Sequence, residues 1–269
     1  MRNAIIDDWH EPILRIYPVG DVHIGSAACD EEAAARLAKI IANDKLARVI
    51  GVGDFIEAVA PTDRRFTAAE LSKPISQEHI DNPFYTQSLR FCKIFEATRG
   101  KWIGIDSGNH EATAAERYFF SPIPIIAERL GCQHHPGSDQ GGWYRVKLLD
   151  GKITRTQDDI FAMHGCGSGE LRGGDALKLE RLLGRKGADI CIVGHGHKPM
   201  AIPIVFESLD KCGAEVSSMR WGLECFPLCG KHGYVAQRGG NASPIGYHVI
   251  EVHRQHDGPA KISVRMEAL

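Results

Sequence analysis

A chain of 269 residues, 43% of them hydrophobic, has enough apolar side chain to bury a sizeable core, which argues against disorder. Its 32 Lys and Arg against 34 Asp and Glu leave a formal net charge of −2, so no bulk field draws it to nucleic acid or to a membrane surface. The first residues carry acids where a signal peptide carries an apolar core, and no stretch approaches the roughly 18 apolar residues of a membrane span, so a soluble cytoplasmic protein is expected.

In chain order, the first predicted strand is the apolar run Ile13–Val19, which ends in Gly-Asp-Val-His-Ile-Gly and sets Asp21 and His23 two residues apart. Asp30-Glu31-Glu32 then caps a helix whose Ala34, Leu37, Ile40 and Ile41 fall at helical spacing. A second strand at 48–52 runs into Gly-Asp and delivers Asp54. Residues 57–85 form a polar, irregular insertion in which Arg64-Arg65-Phe66 is a candidate grip for a phosphate and a stacking ring, although such a pair is more often a solvated turn. A helix is predicted over 86–98 from Leu89, Cys92, Ile94 and Phe95, with Gly100 as its stop.

The third strand, Trp102–Ile105, leads to Asp-Ser-Gly-Asn-His-Glu and brings Asn109 and His110. His134-His135 is expected on a surface loop. A strand at 160–163 brings His164, followed by Gly-Ser-Gly-Glu-Leu-Arg-Gly-Gly-Asp, where Arg172 is a second candidate substrate contact. After a helix at 175–185, built on Leu177, Leu179, Leu182 and Leu183, the strand Ile190–Val193 brings His195 and His197 in Gly-His-Gly-His. From about 200 to 269 the chain reads as strands (202–205, 247–253, 261–266) without intervening helices, and the glycine-rich 234–247 has the composition of a rim loop. Mixed α/β architecture with an antiparallel portion follows. No repeat or linker marks a boundary, so a single domain over 1–269 is expected.

The eight cysteines show no framework spacing, which suits reduced thiols. Cys225-x-x-x-Cys229 with His232 resembles a metal cluster, but no second pair lies nearby to complete four ligands.

Each strand-end motif is weak by itself. Gly-Asp is usually a turn, and Asn-His-Glu is usually a helix cap. Gly-His-Gly-His carries more weight, because two imidazoles flanked by glycines have little packing value. The set is what decides: five successive loops present oxygen and imidazole ligands, as a metal site at the carboxyl ends of α/β strands requires.

The ordered series Asp21-x-His23, Gly53-Asp54, Gly108-Asn109-His110-Glu111, His164 and Gly194-His195-x-His197 resembles the motif set of the calcineurin-like metallophosphoesterases, across about residues 15–200. One departure is Glu57, where the second family motif usually ends in aspartate. The resemblance implies two mixed β-sheets packed as a sandwich and flanked by helices. It also implies a two-metal centre in which Asp21, His23 and His197 hold one ion, Asn109, His164 and His195 hold the other, and Asp54 bridges them. His110 would act at the leaving-group oxygen, either as a cation or as a proton donor. The implied activity is hydrolysis of a phosphate ester by a metal-bridged hydroxide, with a phosphodiester favoured over a monoester and a small phosphorylated or nucleotide-like molecule as substrate.

Two divalent ions against two aspartates leave net positive charge to meet an anionic phosphate. Mixed nitrogen and oxygen ligands suit manganese, iron, zinc or nickel better than magnesium or calcium, with manganese expected to support activity in vitro. Two other readings stay open. A DNA or RNA nuclease is suggested by the Asp-x-His-x-Gly loop, similar to that of the DNA-repair exonuclease branch, but near-neutral charge and a short C-terminal part weigh against it. An inactive protein-binding scaffold predicts missing ligands, and here all seven positions and His110 are present. A zinc hydrolase of the β-lactamase-like fold needs His-x-His-x-Asp-His, which does not occur. Oligomeric state is not legible, and no membrane partner is expected.

Overall fold

The computed structural model describes residues 3–58, 82–135, 141–165, 171–209, 212–230, 243–256 and 260–269. Arg64, Arg65, Phe66, Cys166, His232 and most of the 57–85 and 234–247 segments lie outside them.

The strands are β1 (Ile5–Trp9), β2 (Ile13–Val19), β3 (Ala47–Gly51), β4 (Trp102–Ile105), β5 (Gln133–His134), β6 (Gly142–Asp150), β7 (Ile153–Met163), β8 (Ile190–Val193), β9 (Met200–Leu209), β10 (Glu215–Glu224), β11 (Gly246–His253) and β12 (Lys261–Ala268). They form two six-stranded mixed sheets, ordered β1-β6-β7-β8-β10-β9 and β12-β11-β2-β3-β4-β5. In the second sheet β2, β3, β4 and β5 run parallel, while β11 and β12 are antiparallel additions.

Strand periodicity explains the layering. Leu14 and Ile16 of β2 face one way, Tyr17 and Val19 the other, and all four are buried. The first pair joins Ile50, Val52, Tyr144, Val146, Ile160, Ile190 and Ile250 in a core between the two sheets. The second pair joins the apolar faces of α1 (Glu31–Asn43), α2 (Pro83–Ile94) and α4 (Pro122–Leu130), which cover the outer face of that sheet. Across the molecule, α5 (Arg172–Lys186) puts Leu183 on Phe161 and Cys191 of the other sheet. Ile50 is fully buried at the centre, so its truncation to alanine would cost about 2–5 kcal/mol.

Asp30 caps α1 as anticipated, its Oδ1 accepting from the Ala33 N–H at 2.8 Å. The predicted helix at 86–98 is α2 followed by a 3₁₀ turn (Glu96–Thr98). Strands β1, β5, β6 and β10 and helices α3 (Asn109–Tyr118) and α4 were not anticipated. Two of them carry readable signals: β6 alternates buried and half-buried residues along Gly-Trp-Tyr-Arg-Val-Lys-Leu-Leu, and α4 starts on Pro122 and stops at Gly131, which has φ 71°. The surface expectation for His134-His135 fails at His135. That side chain is buried, with Nδ1 donating to Asp106 at 3.0 Å, and the Tyr144 hydroxyl donates to the same carboxylate at 2.8 Å. Among the described residues no helix is long and apolar enough to cross a membrane.

Candidate metal centre

The ends of β2, β3, β4, β7 and β8 converge on one edge of the sandwich and deliver Asp21, His23, Asp54, Asn109, His164, His195 and His197 together. The backbone is bent to do so. Asp21 (φ 50°), His23 (54°), Asp54 (52°), His195 (70°) and His197 (54°) all sit in the left-handed region, and only two other described non-glycine residues do. Each such residue costs on the order of 1 kcal/mol or more and persists only where its surroundings over-determine it.

Those surroundings are main-chain bonds between the loops. Asp21 N–H donates to the Gly53 carbonyl (3.0 Å), Val22 and His23 N–H both donate to the Asp54 carbonyl (2.8 and 3.0 Å), and Leu228 N–H donates to the Asp21 carbonyl (3.0 Å). Glu111, at the third position of α3, fastens the next loop: its carboxylate accepts from the N–H groups of Asp54, Phe55, Ile56 and Gly108 at 2.7–3.1 Å. The glycine before Asn109 is required, because a Cβ on Gly108 would lie 2.2 Å from Asp54 Oδ1.

Two groups of ligand-type atoms share Asp54. Asp21, His23 and Asp54 form one, and Asp54, His164 and His195 the other, with the atoms of each within 4.8 Å of one another. His197 Nε2 lies 3.2 Å from Asp21 Oδ1, beside the first group. Asn109 Oδ1 lies 2.9 Å from both His164 Nε2 and His195 Nδ1, beside the second.

Hydrogen-bond roles show what this arrangement lacks. His164 Nδ1 donates to the Val52 carbonyl (3.0 Å), so in the neutral ring Nε2 carries a lone pair. That lone pair faces Asp54 Oδ2 and Asn109 Oδ1, both at 2.9 Å, and neither oxygen can donate. His23 repeats the pattern: Nδ1 donates to Glu57 Oε2 (3.0 Å), and Nε2 is buried with no hydrogen-bond partner, 3.8 Å from Asp54 Oδ2. Acceptors converging in this way need a cation among them, either a second proton on each ring or a metal, and the donor set fits divalent ions.

Electrostatics point the same way. Burial would lower His23, but Cys229, Glu57 and Asp54 raise it to about 10. His164 rises to about 9 against its burial, driven by the charge of Asp54 and its hydrogen bond. Burial would raise Asp21, yet His197 and His164 hold it below the usual carboxylate range. His195 instead goes down, through burial and the neighbouring charge of His164. Protons thus gather where cations belong.

His110 belongs to neither of the two groups that share Asp54. Its backbone N–H donates to Asp54 Oδ1 (2.9 Å), its Nδ1 donates to the Glu57 carbonyl, and its Nε2 stands 3.9 Å from Asp54 Oδ2. Arg172 is exposed and donates to the Pro199 carbonyl (3.1 Å), just past His197.

The sequence reading gave three contributors no place in the centre. Glu57 partners His23, and Glu111 ties two loops, a role foreshadowed by its place three residues after Gly108. Cys229, set aside there as a fragment of an incomplete cluster, lies on the first group: ligand-type atoms of His23, His197 and Cys229 fall within 4.8 Å. No spacing in the sequence links Cys229 to that group.

No protein-family model matches the chain, and no curated protein does. Among solved structures, GAP50, the anchor in the inner membrane complex of Plasmodium, matches with a TM-score of 0.52 at 11% identity, over 96% of this chain and 85% of that one. A conserved protein of Streptococcus pneumoniae described as a predicted phosphoesterase matches at a TM-score of 0.36 and 15% identity, over 95% and 99%. Vps29 of Entamoeba histolytica complexed with zinc matches at 0.38 and 12%, over 94% and 99%. At such identities the likeness concerns fold alone. Two mixed sheets flanked by helices are the sandwich that the motif series leads one to expect, and the likeness to GAP50 in fold extends over nearly the whole chain.

Proposed function

We propose that the chain is a metal-dependent phosphoesterase, hydrolysing a small phosphorylated or nucleotide-like ester at a two-metal centre, with diesters preferred over monoesters. One observation carries the reading: a single carboxylate, Asp54, is common to two ligand groups, as a bridging residue must be. When bound, two divalent ions would lower the pKa of a shared water and neutralise phosphoryl charge. Asp21, His23, His197 and Asp54 would hold one ion; Asn109, His164, His195 and Asp54 would hold the other. Manganese is the ion we expect to support activity in vitro.

The remaining work falls to side chains already oriented. The Val52 carbonyl and the Glu57 carboxylate fix the tautomers of His164 and His23, so that each presents its Nε2 lone pair to the centre. The Glu57 carbonyl holds the Nδ1 proton of His110, so that in the imidazolium form Nε2 carries the second proton and is the position from which it passes to the leaving oxygen, leaving the ring neutral. Such a transfer contributes about 10²-fold to 10⁴-fold.

The test is hydrolysis of bis-p-nitrophenyl phosphate against p-nitrophenyl phosphate by metal-stripped protein, with manganese, nickel, zinc or magnesium returned separately. Diester turnover restored by a transition metal is expected. Silence with every metal, together with no metal bound, would discard the enzyme in favour of a protein-binding scaffold.

A further inference from the structure

Cys229 reaches the site from the end of β10, which none of the sequence motifs includes. Its backbone is fixed on both sides. Cys229 pairs with Cys29 in an isolated antiparallel bridge, flanked by Asp30 N–H to the Leu228 carbonyl (2.9 Å) and Gly230 N–H to the Ala28 carbonyl (2.7 Å). The Leu228 N–H bond to the Asp21 carbonyl ties the same segment to the first ligand loop. The thiol is therefore buried at a position that the main chain sets.

Its sulfur lies 3.7 Å from His197 Nδ1, while Nε2 of the same ring lies 3.2 Å from Asp21 Oδ1. An imidazole that gives Nε2 to a metal carries its proton on Nδ1 and needs an acceptor there, normally a carboxylate, a carbonyl or water. Here sulfur stands in that place. A second observation locates the ion: His23 Nε2, nine-tenths buried and without a hydrogen-bond partner, belongs to the group that Cys229 and His197 complete.

We infer that Cys229 is a positioning residue for the Asp21-side metal: its sulfur accepts the Nδ1 hydrogen of His197, fixing that ring's tautomer and orientation, while remaining outside the coordination sphere. This rests on the two-metal reading above. Such outer partners are worth about 10-fold to 100-fold in metal affinity, and the effect here is confined to one of the two positions.

Manganese titrations of the metal-stripped full chain, followed by electron paramagnetic resonance, resolve the two positions without reference to activity. Cys229→Ala should weaken one position by about 10-fold or more and leave the other unchanged. Cys229→Val, which fills the space without accepting, should match it if it folds and binds, and Cys229→Ser should recover most of the loss. Cys29→Ala, across the bridge, should change neither. The inference is overturned if Cys229→Ala binds both ions like the parent, if serine fails to rescue, or if Cys29→Ala weakens the same position equally, which would make the effect one of packing. A sulfur-to-cobalt charge-transfer band in the cobalt-loaded parent would overturn it too, by making the thiolate a direct ligand. A parent chain that binds no manganese fails the two-metal reading; a parent that binds two ions beside unaffected variants fails only the role given to Cys229.

Discussion

His23 and His248 are both buried, at 7% and 1% exposure, and they titrate in opposite directions. Burial pushes His248 down to about 4, only partly opposed by the Met200 backbone, and its near neighbour is the Phe226 ring, with centroids 4.9 Å apart. His23 suffers the same burial but rises to about 10, because Cys229, Glu57 and Asp54 surround it. Both are buried and the partners differ. A buried imidazole in the sandwich interior resists positive charge, whereas one at the strand ends has been supplied with anions enough to demand it.

The most damaging way to break that contrast is to remove the shared anion. Asp54→Asn should lose metal and phosphoesterase activity together, each by more than about 100-fold, as read by elemental analysis and diester hydrolysis. A variant that kept full metal content and rate would discard the bridging assignment. Next in size, His110→Gln should lower kcat by about 10²-fold to 10⁴-fold while metal content stays at the parent's level. Loss of metal in that variant would instead make His110 a brace for Asp54.

The interior half of the comparison is a matter of stability. A folded-state value for His248 of about 4, against an ordinary 6.5, means that as pH falls below 6.5 the unfolded chain takes up a proton and the folded chain does not. Stability contributed above pH 6.5 is therefore lost as pH falls through about 4, by on the order of 3 kcal/mol. His248→Leu should flatten that slope in denaturation series between pH 7 and 4, and an unchanged slope would assign the acid sensitivity elsewhere. The smallest effect is expected from Glu57→Gln, which keeps a hydrogen-bond acceptor for His23 but removes its charge. About 10-fold weaker metal binding in a titration is the expected result, and affinity equal to the parent's would limit Glu57 to loop support.

The strands that build the site were the legible ones. Ile13–Val19, Trp102–Ile105 and Ile190–Val193 are short apolar runs ending in glycine loops, and the structure has them with those bounds. All seven proposed ligands stand at such ends because parallel strands buried on both faces leave a continuous apolar signal. Strand β10, Glu215–Glu224, carries no such signal: much of its length is exposed, and serine, arginine and glycine interrupt it. Cys229 stayed hidden for that reason, its relation to His197 existing only once β8 and β10 pair. Glu57 was visible as a departure from a pattern, but its bond to His23 depends on two loops meeting, which periodicity does not encode.

The left-handed backbone at Asp21, His23, Asp54, His195 and His197 also bears on how such a centre is lost over evolutionary time. These conformations are ones that glycine adopts without strain, so a drift from ligand to glycine at any of them relaxes the loop it disarms. Backbone strain falls as chemistry disappears, opposite to what mutation in a core does. The sandwich can therefore outlive its metals, and a lineage released from selection for catalysis would leave glycines at these strand ends.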